Sequence, residues 1–375
     1  MNNKKAVVVG AGIAGMAMAR ALSLKGFKVT VIERSDKAVG ASIRNFGMVW
    51  PVGQPSGLLY ESALLSAEIW KTSAAEAGFF ADAVGSFHLA YHQDEAQVLQ
   101  ELYDVYHKER NLQLMTPGEV LQNSPATVKE GLLCGLYSPT EVIVDPVEAI
   151  AALPAYLKSK FDIDFIWGKA VLEIKDLQVS TSDCAYSADL VMVCSGADFE
   201  HLYPDYFKQL PITKCKLQMM RIESQPEGWR IGPALCGGLS LIHYNSFKAA
   251  KSLNILKERF QQELPEYLNW GIHVMVSQNG KGELIIGDSH EYANTFDPFD
   301  KQFINTMIID YLKTFATFKS DKISASWNGI YPKLTNGNAY LFEQVELGVY
   351  VFNGLSGAGM TLSFGLSTKL VEEIK

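Results

Sequence analysis

One stretch near the N-terminus constrains the fold more than any other part of the chain. An apolar, β-branched run over Ala6–Val9 predicts a buried parallel strand. Three closely spaced glycines follow it, and Met16–Lys25 then has the small and apolar residues of a helix that ends at Gly26. Lys28–Ile32 predicts a second strand. Strand, glycine turn, helix and strand in this order predict a βαβ unit.

The glycines of this unit have the G-x-G-x-x-G spacing of dinucleotide-binding turns. Gly10 permits the tight turn, Gly12 lets a pyrophosphate approach the backbone, and Gly15 lets the helix pack close to the strand. Glu33, where the second strand ends, is placed to hold a pair of ribose hydroxyls. We therefore predict dinucleotide binding, with the helix N-terminus facing the phosphates. The alternatives are an ordinary βαβ unit and a signal peptide; the glycines and the immediate second strand argue against the latter.

Composition and charge exclude several classes of protein. A chain of 375 residues predicts two domains. The formal net charge is −8 and no basic patch contains interleaved aromatics, so we predict no binding to nucleic acid. No apolar run is long enough for a membrane span. Five scattered cysteines without a C-x-x-C pair predict free thiols in a reducing cytoplasm, and the scattered histidines predict no metal site.

A glycine-rich loop follows the βαβ unit over Gly40–Pro51. It is too mixed for a helix and predicts a close approach of backbone to a ligand. Ser42, Arg44 and Asn45 offer a hydroxyl, a cation and an amide, which suit contacts with phosphate or with a ring edge. The alternative is a plain surface loop.

The part of the chain after residue 211 changes to a pattern of alternating strands. The predicted strands are Lys214–Glu223, Leu239–Tyr244, Ile272–Gln278 and Glu283–Gly287, and Asn279–Gly282 predicts a hairpin turn. This pattern predicts a second, mostly antiparallel domain inserted into the first.

A second glycine loop lies at the C-terminus, between a buried strand over Gly348–Phe352 and a predicted helix over Leu362–Ile374. A ligand held by both glycine loops requires a fold whose termini share one domain. We therefore predict an α/β fold, α+β overall, with a Rossmann-like domain and an inserted sheet domain. The predicted domains are residues 1–82, 145–212 and 325–375 for the ligand-binding domain, and 83–144 and 213–324 for the substrate domain.

Five blocks of the sequence, in order, resemble the FAD-dependent oxidoreductases that include D-amino acid oxidase, glycine oxidase and sarcosine oxidase. The blocks are Gly10–Glu33, Gly40–Gly47, the helix start Val144–Pro146, Ala188–Ala197 and Gly354–Ser363. The resemblance implies bound FAD and removal of a hydride from a carbon next to an amine nitrogen. Water then hydrolyses the resulting imine, and oxygen or another electron acceptor reoxidises the flavin. The sequence makes no prediction of oligomeric state.

The resemblance also implies which residues contact the cofactor. The flavin ring is expected against the Gly40–Trp50 and Gly354–Thr361 loops, with amides near Gly359 and Met360 stabilising charge on the reduced ring. The expected cofactor-binding residues are Gly10, Gly12, Ile13, Ala14, Gly15, Glu33, Arg34, Ser42, Arg44, Asn45, Gly47, Met48, Val171, Ser195, Gly196, Gly329, Gly354, Ser356, Gly357, Ala358, Gly359, Met360 and Thr361. Several members tether FAD through a late cysteine or an early histidine. The last cysteine here is Cys236 and the first histidine is His88, so we predict non-covalent FAD.

The sequence departs from the amino acid oxidases at the residue expected to bind the substrate carboxylate. In Trp327–Pro332 a tyrosine, Tyr331, stands where an arginine is expected. Because a tyrosine cannot form a bidentate charge pair, this residue disfavours a plain α-amino acid. Arg44–Gln54 and Gly359–Gly365 are instead similar to a narrower subgroup associated with organophosphonate catabolism and proposed to oxidise aminophosphonates.

We therefore expect a small anionic amine as the substrate. The candidate pocket residues are Arg44, Trp50, His243, Tyr244, His273 and Tyr331. For the two histidines and Trp50, a purely structural role is the alternative, and the remaining histidines, His88, His92, His107, His201 and His290, are interpreted as structural. Oxidation of a 2-hydroxy acid is a second hypothesis, and a flavin-binding protein without turnover is a third.

Overall fold

A computed structural model describes residues 4–374 of the chain. The helices are α1 (Ile13–Leu24), α2 (Leu58–Ala77), α3 (Gln93–Arg110), α4 (Pro117–Asn123), α5 (Pro146–Phe161), α6 (Pro204–Gln209), α7 (Leu253–Glu263), α8 (Pro265–Asn269), α9 (Gln302–Leu312) and α10 (Gly359–Leu370). The strands are β1 (Lys5–Val9), β2 (Lys28–Ile32), β3 (Met48–Val49), β4 (Ala81–Asp82), β5 (Ser86–Ala90), β6 (Gln113–Met115), β7 (Cys134–Ser138), β8 (Val142–Val144), β9 (Asp164–Ile166), β10 (Glu173–Lys175), β11 (Gln178–Ser180), β12 (Ala185–Ser187), β13 (Leu190–Val193), β14 (Ile212–Ile222), β15 (Ala234–Cys236), β16 (Met275–Gln278), β17 (Leu284–Gly287), β18 (Glu291–Ala293), β19 (Ile323–Leu334), β20 (Leu341–Glu346) and β21 (Val349–Asn353).

The first large sheet has the strand order β20-β21-β13-β1-β2-β9. All neighbours in it are parallel except β20, which is an antiparallel edge strand. Strands β1, β13 and β21 are adjacent in space although they come from the beginning, the middle and the end of the chain. The loops that follow these three strands therefore meet at one edge of the sheet, and the predicted Rossmann-like domain that joins both termini is confirmed.

Both faces of this sheet are covered, as a parallel sheet requires. Helices α1, α2, α5 and α10 pack on one face around fully buried side chains such as Met16, Leu22, Trp70 and Phe364. The small antiparallel sheet β10-β11-β12 and the segment around Phe207 cover the other face. The burial on both faces explains why β1 and β13 are continuous apolar runs in the sequence.

The second large sheet has nine strands, in the order β18-β14-β17-β16-β15-β5-β7-β6, with β19 paired to β14. Its pairs are antiparallel apart from β5 with β15, so the predicted inserted sheet is confirmed. Strand β19 is paired with β14 along nearly its whole length. The predicted domain boundary at residue 325 falls inside this strand, and the division of the chain into domain ranges stays a prediction.

The predicted strand Leu239–Tyr244 is wrong. The segment Gly238–Ile242 forms a 3₁₀ helix, with Ser240 N–H donating to Gly237 O at 3.0 Å. All residues from Gly238 to Leu241 are buried, which removes the alternation of a half-buried strand. A Cβ on Gly238 would lie 2.4 Å from the Glu95 carboxylate, so close packing fixes this turn.

The length and composition of the helices bear on membrane insertion. Across residues 4–374, no helix combines enough length with enough apolar character to cross a bilayer.

His88 gives a prediction about folding stability. It is fully buried between Trp50 and Phe247, neither ring nitrogen has a hydrogen-bond partner among residues 4–374, and burial lowers its pKa from 6.5 to about 3. In the unfolded chain His88 is therefore protonated below about pH 6.5, whereas in the folded protein it stays neutral down to about pH 3. We expect this residue alone to remove about 2 kcal/mol from the free energy of unfolding between pH 8 and pH 5.

The measurement is urea unfolding of the wild type and of His88→Leu at both pH values. The variant should lose less stability than the wild type on acidification. Comparing the two pH-dependent changes cancels the constant packing effect of the substitution. Equal losses in the two proteins would contradict the prediction.

Candidate active site

A cavity of about 1300 Å³ lies between the carboxyl ends of β1, β13 and β21 and the nine-stranded sheet. Small-molecule pockets are typically about 300–1000 Å³, so this one has room for a dinucleotide together with a substrate. The six candidate pocket residues all line it: Arg44, Trp50, His243, Tyr244, His273 and Tyr331. The predicted cofactor residues also line it, except Gly15 and Gly47.

Gly15 and Gly47 have a packing role where a cofactor contact was predicted. A Cβ on Gly15 would lie 1.9 Å from the carbonyl oxygen of Gly10, which is the close approach of helix to strand expected from the sequence. A Cβ on Gly47 would lie 1.8 Å from the carbonyl oxygen of Val144, and the φ of Gly47 is +71°. Neither site has room for a side chain because backbone occupies it.

The N-terminus of α1 opens into the cavity. Gly10 makes the turn out of β1 with φ +100°, and the first hydrogen bond of the helix runs from Met16 N–H to Gly12 O at 2.9 Å. The amides before Met16 are therefore free of the helical ladder. Ser42 Oγ accepts a hydrogen bond from one of them, the N–H of Ile13, at 2.9 Å. The other amides and the positive end of the helix dipole suit a pyrophosphate.

Glu33 is held in a fixed position at the end of β2. One carboxylate oxygen accepts a hydrogen bond from Ala11 N–H at 2.9 Å, and the other accepts one from Ser35 N–H at 3.0 Å. Each oxygen keeps a lone pair that can accept a hydroxyl hydrogen. This geometry agrees with the ribose-binding role predicted for Glu33. The neighbouring Arg34 is exposed and pairs with Asp198 at 2.6 Å.

Asn45 stabilises the loop that contains it. Its amide nitrogen donates to the carbonyl oxygens of Ala41 and Ser42, both at 3.0 Å, and its amide oxygen accepts from Gly47 N–H at 2.8 Å. Asn45 borders the cavity, but these three bonds use its side chain to shape the loop. Arg44 is less constrained, with one hydrogen bond of 3.3 Å to the carbonyl oxygen of Asn328.

Asn353 joins the C-terminal glycine loop to the end of β13. Its amide nitrogen donates to Gly196 O at 3.0 Å and lies 3.4 Å from Ser195 Oγ, and its amide oxygen accepts from Gly354 N–H at 2.7 Å. The sequence analysis missed this residue as a site component. A buried asparagine directly before a glycine loop was the available signal.

The first turn of α10 lies against the Gly40–Trp50 loop. Thr361 Oγ1 accepts a hydrogen bond from Trp50 N–H at 3.0 Å, and Trp70 Nε1 donates to Met360 O at 2.8 Å. Leu362 N–H donates to Ala358 O, so the amides from Gly359 to Thr361 precede the hydrogen-bonded ladder. The two loops predicted to hold one ring system are thus joined directly.

An aromatic wall forms the end of the cavity near the second sheet. Trp50 and Tyr244 lie with ring centroids 6.4 Å apart, and Gly53 fits between them because a Cβ there would lie 2.7 Å from the Tyr244 ring. Tyr331 lies beside the C-terminal loop, where a Cβ on Gly357 would be 3.3 Å from its hydroxyl. Burial raises the pKa of both tyrosines well above 10, so both hydroxyls are neutral hydrogen-bonding groups.

Three histidines meet at this end of the cavity. Their ligand nitrogens lie within 4.8 Å of one another, and the rings of His243 and His273 stack with centroids 3.7 Å apart. His290 stacks on His273 at 5.3 Å and its Nδ1 contacts Gly271 O at 2.8 Å. The rings lie nearly face to face, with interplanar angles of 29° for His243 and His273 and 12° for His273 and His290. We interpret the cluster as a hydrogen-bonding surface.

Asp288 is the acid beside this cluster. Its carboxyl oxygens lie 3.1 Å from His273 Nε2 and 3.8 Å from His290 Nε2. Burial raises the pKa of Asp288 well above its ordinary value and lowers the pKa of His273 and His243, while that of His290 falls to about 4. The low dielectric of the site thus favours neutral groups near pH 7.

Comparison with known proteins decides the family. The family described as FAD dependent oxidoreductase matches residues 5–373, which is nearly the whole chain. The chain belongs to this family. It is therefore an FAD-dependent oxidoreductase, as the resemblance of its five sequence blocks implied.

Curated and structural relatives of this oxidoreductase agree with the family match. The tRNA 5-methylaminomethyl-2-thiouridine biosynthesis bifunctional protein MnmC of Chromobacterium violaceum is 28% identical over 257 residues, covering 62% of this chain and 36% of that protein. The chain thus spans about a third of the length of this relative. Glycine oxidase from Geobacillus kaustophilus superposes with a TM-score of 0.77 at 21% identity, covering 99% of this chain and 94% of that one. L-alpha-glycerophosphate oxidase from Mycoplasma pneumoniae, with FAD bound, gives a TM-score of 0.74 at 16% identity, covering 100% and 96%.

The residues of this oxidoreductase fit FAD, the cofactor of the family. Glycine at position 12 keeps the helix end open, because any larger residue would project a side chain beside Ser42 Oγ, 3.2 Å from its Cβ. Glu33 is oriented for a ribose, and the free amides of α1 and α10 suit the pyrophosphate and an electron-rich ring edge.

The sequence analysis missed three groups at the substrate end, namely Asp288, His290 and Lys333. His273 pairs with Asp288 beyond the end of the hairpin, with His273 N–H donating to Asp288 O at 3.3 Å and Asp288 N–H donating to His273 O at 3.0 Å. The predicted hairpin contained His273, but its second strand was predicted to end at Gly287, and His290 was interpreted as structural. Lys333 lines the cavity two residues beyond Tyr331 on β19.

Proposed function

We propose that this oxidoreductase oxidises the carbon–nitrogen bond of a small anionic amine or amino acid. The observation that carries the proposal is a cavity bordered at one end by both glycine loops and at the other by a lysine, three imidazoles and two phenol groups. The names of two relatives, glycine oxidase and the methylaminomethyl-forming MnmC, also concern amines. Because these relatives are only 21% and 28% identical to this chain, the substrate requires the test given below.

The chain's own residues would bind and orient the substrate. When bound, FAD supplies the acceptor for the hydride on the carbon next to the amine nitrogen. The rings of Trp50 and Tyr244 would cover one side of the substrate and limit the access of water to it. Tyr331 offers a neutral hydroxyl beside the C-terminal loop. Imidazoles that stay neutral and a nearby lysine ammonium disfavour a second positive charge, so the pocket is expected to select the free amine that oxidation needs. Water then hydrolyses the imine product.

An aminophosphonate is our more specific proposal for the substrate class. It rests on the Arg44–Gln54 and Gly359–Gly365 resemblance and on Tyr331, and none of the relatives named above carries a phosphonate in its name. The name of glycerophosphate oxidase keeps oxidation of a hydroxyl group as the second candidate. A net charge of −8 disfavours binding of a polyanion, so tRNA, which the name of MnmC contains, is not part of the proposed substrate.

We also propose that FAD is bound without a covalent link and that the protein is cytoplasmic. Cys236 and His88, the candidates for tethering, are both fully buried and neither borders the cavity. Cys194 does border it, but burial raises the pKa of its thiol far above neutrality, which suppresses the thiolate. Acid precipitation should therefore release all of the FAD into the supernatant.

The five cysteines have free thiols, which agrees with a reducing compartment and supports the proposed cytoplasmic location.

The test is the visible spectrum of the purified protein without oxygen. We expect the flavin band to bleach after addition of aminomethylphosphonate. Bleaching by glycine or sarcosine alone would keep the amine oxidase and reject the phosphonate. Bleaching by 2-hydroxy acids or glycerol phosphate alone would reject amine oxidation. A flavin band that no compound bleaches would favour a binding protein without turnover.

A further inference from the structure

Most cationic side chains around the cavity are neutralised by the protein itself. The ion pairs are Arg34–Asp198 (2.6 Å), Lys169–Asp183 (2.5 Å), Lys214–Glu200 (2.6 Å) and Lys216–Asp300 (3.5 Å). Arg44 and Lys333 also line the cavity, and neither forms an ion pair with any residue between 4 and 374. These two cations are therefore the candidates to meet a charged ligand.

The position of Lys333 puts it with the substrate pocket. In the pairing of β19 with β14, Tyr331 lies opposite Cys215 and Lys333 lies opposite Thr213. Residues two apart on a strand share a face, so Lys333 and Tyr331 both face the cavity. Arg44 instead lies against Gly329 and donates to Asn328 O, at the other end of this strand segment.

The surroundings of Lys333 contain hydrogen-bonding groups but little competing charge. It is close enough to the three histidines for its charge to lower the pKa of each. Those histidines are neutral near pH 7, and so is the Tyr331 hydroxyl. Lys333 is half-buried, and an ammonium partly removed from water without a counter-ion is costly; an anionic ligand would remove that cost.

We propose that Lys333 binds the anionic group of the substrate and supplies the charge that the tyrosine at position 331 lacks. The inference rests on the proposed function, because it requires the amine substrate to carry an anion. A lysine ammonium is a point charge with three donors and can pair with the oxygens of a phosphonate without the planar, bidentate geometry of an arginine. The histidines and Tyr331 complete the hydrogen bonds to the remaining oxygens.

The experiment titrates the FAD-loaded protein with inorganic phosphate, and separately with acetate, and follows the perturbation of the flavin spectrum. The variants are Lys333→Met, Lys333→Arg and, as a matched control, Lys248→Met. Lys248 is an exposed lysine near Lys333 that does not line the cavity. We expect Lys333→Met to weaken anion binding at least about tenfold, since a charge-assisted hydrogen bond is lost. Lys333→Arg should keep most of the affinity, and Lys248→Met all of it.

Each outcome supports or overturns the inference. Tighter binding of phosphate than of acetate supports a phosphonate, and the reverse supports a carboxylate. Equal affinity in Lys333→Met and wild type, an equal loss in Lys248→Met, or no spectral response of the wild type to either anion would overturn the role of Lys333. The titration needs no turnover, so an enzyme that no amine reduces would reject the proposed function while leaving this result readable.

Discussion

Replacing Gly12 with leucine is expected to give a folded protein that retains less than about one tenth of the wild-type FAD. The backbone of Gly12 is in an ordinary region, with φ −68° and ψ 174°, so leucine introduces no backbone strain. Its side chain would project beside Ser42 Oγ at the N-terminus of α1, where the pyrophosphate is expected. The loss therefore comes from blocked access to the helix amides and not from unfolding.

The measurement is the ratio of flavin to protein absorbance after purification, with circular dichroism to confirm folding. Gly118→Leu is the matched control, because Gly118 is exposed in α4, has no atom within 4 Å of its Cβ position and lies outside the cavity. The control should retain full FAD. Full flavin content in Gly12→Leu would show that the pyrophosphate lies elsewhere.

The cofactor end of the site was predictable because its signals are local in sequence. The turn at Gly10, the spacing to Gly15 and the acid at Glu33 each follow from steric and charge requirements within one βαβ unit. The N-cap of α5 is similarly local, since Asp145 accepts hydrogen bonds from Val147 N–H at 3.0 Å and Glu148 N–H at 3.1 Å. The structure that such a motif predicts depends little on the rest of the chain, because the residues that determine it are close in sequence.

The substrate end was less predictable because long-range strand register assembles it. His243 follows a 3₁₀ turn, His273 and His290 belong to a hairpin, and Lys333 belongs to β19. The pattern predicted a strand over Leu239–Tyr244, which includes His243, but close packing of Gly238 against Glu95 gave a turn. No local rule brings these three elements together, so Lys333 could be recognised as unpaired only in the folded chain.

Replacing Gly365 with alanine is expected to destabilise the folded protein by about 3 kcal/mol or more. Gly365 lies in α10 against α2, and a Cβ there would lie 1.9 Å from the carbonyl oxygen of Ser62 and 2.6 Å from its carbonyl carbon. The clash is with backbone, so no side-chain rotation relieves it. The N–H of Gly365 also donates to Ser66 Oγ at 2.9 Å, and separating the helices would break that bond.

Gly365→Ala should also weaken FAD binding, because α2 and α10 together position the loop at the cofactor end of the cavity. α2 supplies Trp70, which donates to Met360 O at the start of α10. Urea unfolding of the FAD-free protein should therefore show the lower stability, and FAD affinity should fall with it. Gly118→Ala, in open space on α4, is the control and should leave stability unchanged or slightly raised. Wild-type stability in Gly365→Ala would contradict the prediction and would mean that α10 can shift away from α2 at little cost.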